Sequence, residues 1–117
     1  MESQRIISTL SLEATLSELL QEIRYDRLFV LADTNTAKLC LSQCAKVLDR
    51  AYLIVISPGD AHKNIDALCH VWEELSSHGA TRHSLLVNIG GGMVTDLGGF
   101  AAATYKRGIH YINVPTT

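Results

Sequence analysis

The sequence predicts an α/β fold, an open parallel sheet of about five or more strands with helices on both faces. Short β-branched runs, RLFVLA at 27–32, AYLIVI at 51–56 and SLLVNI at 84–89, alternate with longer stretches of helical period, as repeated βα units around a parallel sheet require. The last of these runs leads directly into three glycines, Gly90, Gly91 and Gly92, where a strand-to-helix turn is due. No linker, internal duplication or low-complexity segment interrupts the pattern. The 117 residues are therefore read as one domain, at the small end for a complete metabolic enzyme.

The elements follow in order. A first strand is expected at 5–9, then a helix at 11–23 with Leu12, Leu16, Leu19, Leu20 and Ile23 on one face and Ser11 as its N-cap. The strand at 27–32 precedes a helix at 35–48 that carries Leu39, Ala45 and Leu48. The strand at 51–56 closes on Ser57, Pro58, Gly59 and Asp60, residues whose backbone preferences favour a turn. A helix at 64–78 presents Leu68, Val71, Trp72 and Leu75, and Gly79 stands where a C-terminal glycine is expected. The strand at 84–89, the glycines, a helix at 94–105 and a strand at 109–114 complete the chain before Pro115, Thr116 and Thr117.

Composition narrows the partners. With 47% hydrophobic and 19% charged residues and a formal net charge of -2, the chain has the make-up of an ordinary globular protein. Arg5, Arg24, Lys38, Arg50 and Lys63 are scattered rather than clustered, so nucleic acid is not an expected partner. The start lacks a charged segment followed by a long apolar run, so no membrane partner is expected and the location read is cytoplasmic. Three cysteines, an odd number, fit a reducing compartment. Cys40 and Cys44 lie four apart on a helix, but two thiols are too few for a metal site, and all three cysteines are read as core or boundary packing.

In an open parallel sheet, ligands bind beyond the carboxyl ends of the strands. Asp33-Thr34-Asn35, Pro58-Gly59-Asp60, the glycine triplet and Pro115-Thr116-Thr117 all fall there. Backbone free of side chains can approach a phosphate, and amides at a helix start favour an anion. A pyrophosphate is the ligand this predicts. The common G-x-G-x-x-G fingerprint is not met, because Thr95 stands at the third glycine. Around twenty residues further on, where an acid would take the ribose, lie Ile112 and Asn113. Asp33 could take that role from an earlier strand, with Asn35 beside it, although Asp33 or Thr34 could equally cap the following helix. Asp96 is placed in the first turn after the glycines, where the dipole favours a carboxylate whatever its use. Lys63 could reach phosphate or adenosine groups. By itself Arg107 reads as a solvated charge at a helix end.

The stretch GGGMVTDLGGFAAATYKRGIHYINVPTT, residues 90–117, resembles the central signature of the dehydroquinate synthases and the wider sugar-phosphate cyclase family. Asp33-Thr-Asn and Pro58-Gly-Asp-Ala-His-Lys63 resemble two further loops of that family in order and spacing. The resemblance implies a Rossmann-like sheet, and NAD contacts from Asp33, Asn35, Asp60, Lys63, Gly91, Gly92, Met93, Asp96, Thr116 and Thr117. It implies that Arg107 reaches the substrate phosphate in a partner subunit's site across a homodimer. It also implies conversion of 3-deoxy-D-arabino-heptulosonate 7-phosphate to 3-dehydroquinate with loss of phosphate, in the shikimate route, with NAD and a divalent metal (zinc or cobalt) as cofactors. The metal ligands and most substrate contacts are expected in a helical C-terminal domain that would follow Thr117, so this chain is expected to be inactive alone, with no catalytic residue and no metal ligand of its own. Thr95 departs from the family glycine, Asp60 from its glutamate and His62 from its tyrosine. Thr95 is expected to put a β-branched side chain at the helix–sheet contact, and either to hold the helix slightly farther out or to weaken cofactor binding. Another sugar-phosphate cyclase, a metal-dependent polyol dehydrogenase, or a stand-alone nucleotide-binding module are the alternatives.

Overall fold

The computed structural model describes residues 4–6, 12–43, 49–57 and 65–116. Four strands of six residues, β2 (Leu28–Asp33), β3 (Ala51–Ile56), β4 (Leu85–Gly90) and β5 (His110–Pro115), form its centre, with the three-residue β1 (Gln4–Ile6) at one edge. All pairings are parallel, in the order β1-β5-β4-β2-β3. Parallel strands covered on both faces need continuous apolar runs. β4 is accordingly buried along its whole length.

Helices cover both faces, as predicted. On one, α1 (Leu12–Glu22) and α2 (Thr34–Gln43) bring Leu16 and Ala37 onto Leu28, Val30, Val87, Ile89, Ile112 and Val114. On the other, α3 (Ile65–Ser77) and α4 (Gly92–Thr104) cover Phe29, Leu31, Ile54 and Leu86. α3 buries Ala67, Leu68, Val71 and Leu75, one helical stripe. It ends as its glycine requires. Gly79 takes φ 78, and the amides of Gly79 and Ala80 donate to Ser76 and Leu75 carbonyls at 3.2 and 2.9 Å, closing the last turn.

The strand at 51–56 lies where the pattern put it, and the others shift by about one residue, the usual fraying of element ends. Of the strand expected at 5–9, residues 7–9 lie outside the described residues, as do Ser11, Cys44 and the end of the helix expected to reach 48. Cys69 is half-buried with a free thiol, the boundary packing expected of it.

One boundary is corrected. α4 begins at Gly92, two residues before the expected start, because Gly91 is already its N-cap at φ -75, ψ -175. Asp96 is therefore in the second turn, and no acid lies in the first. The dipole argument for that carboxylate lapses, since the effect fades beyond the first turn.

The chain runs from β2 outward to β3, then returns across β2 to β4. The direction reverses between β2 and β4, and a sheet of this kind opens a crevice at such a point. Register places Ala32 opposite Ile89, so Asp33 and Gly90 leave the sheet at one level, with Pro115 beside Gly90.

Candidate functional site

The glycine turn lies at the carboxyl end of this switch point. Its glycines answer different needs. A Cβ on Gly90 would sit 2.8 Å from the Val94 Cβ, so the turn into α4 itself excludes a side chain there. A Cβ on Gly92 would meet nothing within 4 Å. The protein does not need that glycine for packing, and the space left open lies over the helix start.

Amides complete the feature. The first bond of α4 runs from the Thr95 amide to the Gly91 carbonyl at 3.1 Å, so the Gly92, Met93 and Val94 amides precede any acceptor within the helix. No side chain caps them. An anion held there would satisfy donors that the fold leaves to a ligand or to water.

Asp33 ends β2 beside this turn, half-buried, and does cap α2. Its Oδ1 accepts from the Asn35 amide at 2.9 Å and the Thr36 amide at 2.8 Å. The Asp33 amide in return donates to Thr36 Oγ1 at 3.0 Å, a reciprocal box of the kind that fixes a helix start. Among the described residues no group bonds Oδ2. Capping and ligand binding are thus compatible in one carboxylate, because each uses a different oxygen.

Thr36 is the residue that sequence reading missed. Its hydroxyl donates to the Ile89 carbonyl at 2.9 Å, joining the start of α2 to the last turn of β4 before the glycines. Its place three residues after Asp33 was the available signal for the capping box. The bond to Ile89 had none, since only the sheet order brings the two together.

Of the other predicted residues, Asn35, Met93, Asp96 and Thr116 are exposed at or near this edge. The Thr116 amide donates to the Gly90 carbonyl at 3.1 Å, fastening the end of β5 to the glycine turn. Asp60, Lys63, His62 and Thr117 lie outside the described residues. Arg107 is not at this edge. It follows α4, whose 13 residues separate it from the glycines by roughly 20 Å at the usual helical rise. Among the described residues no three His, Cys, Asp or Glu side chains are placed to hold a metal.

The expectation that Thr95 holds the helix farther out is also corrected. Its hydroxyl donates back to the Gly91 and Gly92 carbonyls at 3.3 and 3.1 Å, and it does not wedge the helix away. α4 lies so close to the sheet that a Cβ on Gly98 would fall 1.9 Å from Asn88 Oδ1.

The family model described as 3-dehydroquinate synthase N-terminal matches residues 53–117. A 3-dehydroquinate synthase of Parabacteroides distasonis is 45% identical over 119 residues, covering 100% of this chain and 34% of that protein. Among solved structures, 2-epi-5-epi-valiolone synthase from Streptomyces hygroscopicus, with NAD+ and Zn2+ bound, superposes with a TM-score of 0.77 at 26% identity, covering 100% of this chain and 33% of that one. A 2-deoxy-scyllo-inosose synthase gives a TM-score of 0.78 at 22% identity, over 97% of this chain and 32% of the other, a likeness of fold. The chain spans about a third of the length of the curated relatives it matches.

Proposed function

The chain belongs to the 3-dehydroquinate synthase N-terminal family, and from that membership we propose that it is the NAD-binding domain of a 3-dehydroquinate synthase. The observation that carries this reading is the open space over Gly92 above the uncapped start of α4, beside a carboxylate oxygen of Asp33 that capping leaves over. The Gly92 and Met93 amides would hold the pyrophosphate. Asp33 Oδ2 would accept from a ribose hydroxyl. Asn35, Asp96 and Thr116 would line the remaining rim, with Asp60, Lys63 and Thr117 completing the cofactor contacts.

When bound, NAD supplies reversible hydride transfer, which turns a hydroxyl of the heptulosonate phosphate into a ketone and later restores it. This makes the neighbouring C–H acidic enough for phosphate to leave. The chain's part is to hold the dinucleotide in one orientation at the sheet edge and to keep its phosphates neutralised. In keeping with the family resemblance, the zinc or cobalt of the reaction would be held by residues of a following helical domain, and no step here is assigned to it. We place the working enzyme in the cytoplasm as a homodimer. That arrangement gives Arg107 a task, because it stands at the other end of α4 from its own glycine turn. In the dimer it would reach the substrate phosphate of the partner subunit.

The test is an assay of the longest natural form that carries this chain, with NAD+ and, separately, the heptulosonate phosphate, other sugar phosphates and glycerol. Release of phosphate from the heptulosonate alone supports the proposal. Turnover confined to another sugar phosphate makes the protein a sibling cyclase, oxidation of glycerol makes it a dehydrogenase, and absence of NAD+ binding removes the reading altogether.

A further inference from the structure

The cofactor contacts proposed above fall on two separate βα units. Asp33 ends β2 and leads into α2, whereas the open amides of Gly92 and Met93 follow β4. The ribose hydroxyls and the pyrophosphate of one nucleotide are joined through a sugar ring, so carboxylate and amides can hold both together only at one fixed separation. Neither unit sets that separation by itself. The register of β2 on β4 ends at Ala32 and Ile89, before either anchor is reached, and the crevice of the switch point opens there.

Thr36 links the two units beyond that last pair. Its Oγ1 accepts from the Asp33 amide at 3.0 Å and donates to the Ile89 carbonyl at 2.9 Å. A hydroxyl has a single proton to give and lone pairs to receive with, so both capacities are used in one chain of bonds from the end of β2 to the end of β4. The Thr36 amide donates to Asp33 Oδ1 at 2.8 Å, which fixes the oxygen that faces α2 and turns the other away from it. The next carbonyl along β4, that of Gly90, is tied from the opposite side of the sheet order by the Thr116 amide at 3.1 Å. The glycine turn is thus held towards β5 through backbone and towards β2 through a side chain.

We propose that Thr36 is a positioning residue for the dinucleotide: its hydroxyl sets the distance between the ribose-binding carboxylate of Asp33 and the phosphate-binding amides after β4. It acts through Asp33 and Ile89, not by contact with NAD, and the inference rests on the cofactor reading above. Anchors already at the right spacing act together on one ligand, whereas anchors free to shift act as two weaker contacts.

Calorimetric titration of NAD+ into the longest natural form tests this. Thr36→Val keeps the shape of the side chain and the amide that caps with Asp33, but removes both hydroxyl bonds, and Kd should rise about tenfold. Thr36→Ser keeps the hydroxyl and should stay within about twofold of the unaltered protein. The deciding measurement is the valine change made in Asp33→Asn, which retains a cap and lacks the carboxylate. There it should raise Kd by no more than about twofold, because no carboxylate remains to be positioned. A residue that only stabilises the fold would give the same fold-change in both backgrounds. That result, normal NAD+ affinity in Thr36→Val, or a serine variant as weak as the valine one each overturns the proposal while leaving the cofactor reading in place. If melting curves show that the valine variant does not fold, Thr36→Ala in the same cycle decides on the same terms. Failure of the unaltered protein to bind NAD+ removes the cofactor reading and this inference with it.

Discussion

At the scale of single residues, the two outer glycines of the turn can be separated by one substitution each. Gly92→Ala adds a methyl group to empty space, so stability should change by no more than about 0.5 kcal/mol. If a pyrophosphate occupies that space, NAD+ affinity of the longest natural form should fall at least tenfold, roughly the loss of one charge-assisted hydrogen bond. Gly90→Ala should do the reverse in the first instance. Its methyl meets Val94 at 2.8 Å, and overpacking of this kind costs about 1–3 kcal/mol. Denaturant unfolding paired with NAD+ titration reads both. A Gly92→Ala protein that binds NAD+ normally would remove the central argument for the site. Asp33 allows a similar division, because asparagine is as good an N-cap as aspartate. Asp33→Asn should keep the stability of α2 and lose ribose affinity, whereas Asp33→Ala should lose both, with about 1 kcal/mol of stability. The sequence made Asp33 and the glycines readable because their types and positions at strand ends are unusual. It could not show that capping uses only one oxygen of the carboxylate, since that depends on which oxygen faces the Asn35 and Thr36 amides.

Among elements, the seating of α4 on the sheet decides where its N-terminal amides stand. Asn88 of β4 is fully buried beneath the helix, donating from Nδ2 to Asn113 Oδ1 at 3.1 Å, while its own Oδ1 has no hydrogen-bond partner among the described residues. That oxygen occupies the hollow that Gly98 leaves, 1.9 Å from where a Cβ would be. An asparagine in a sheet interior is tolerated here because a paired amide on β5 and a glycine on the helix both accommodate it. Gly98→Ala should destabilise by about 1–3 kcal/mol, since a backbone-attached methyl cannot share that volume. Adding Asn88→Ala should recover part of the loss, and a double-mutant cycle by denaturant unfolding should show favourable coupling of at least about 0.5 kcal/mol. Additive losses would mean that Asn88 and Gly98 do not share the contact. The elements themselves were readable, because continuous β-branched runs and the i, i+3, i+4 stripe of α3 follow directly from burial. The start of α4 was not. Glycine is a poor helix former, so the apolar pattern begins at Val94, while the helix starts two residues earlier at Gly92. Likewise, Arg24, read as one of several scattered charges, lines a cleft with Arg82 and Arg107 because the sheet order places the starts of β2, β4 and β5 side by side.

Over the whole molecule, the two ends of the sheet are finished differently, and acid should reveal it. At the carboxyl end, donors at the start of α4 are left open. At the amino end, Asp26 joins the segment before β2 to the segment before β4 through Thr81 and Ser84, and its amide donates to the His83 carbonyl at 3.1 Å. The hydrogen bond from Thr81 is the main cause that holds the Asp26 carboxyl below its usual value of 3.8, with Ser84 and backbone amides adding to it and partial desolvation opposing. A carboxyl whose folded value lies below its unfolded value binds its proton more weakly when folded, so it contributes stability above the unfolded value. That contribution is complete above about pH 4 and is lost as pH falls through the lower folded value. Asp26 is largely exposed, so solvent screening keeps the contribution small. Thermal unfolding between pH 2 and 7 should therefore show a shallower acid limb for Asp26→Asn than for the unaltered protein, with the difference confined to the region below about pH 4. The same variant should be modestly less stable near neutral pH, because an amide oxygen accepts fewer hydroxyl bonds than a carboxylate. Parallel acid limbs would mean that the Thr81 and Ser84 bonds do not close the amino end, and that the packing of Leu28 and Leu85 alone aligns the starts of these strands.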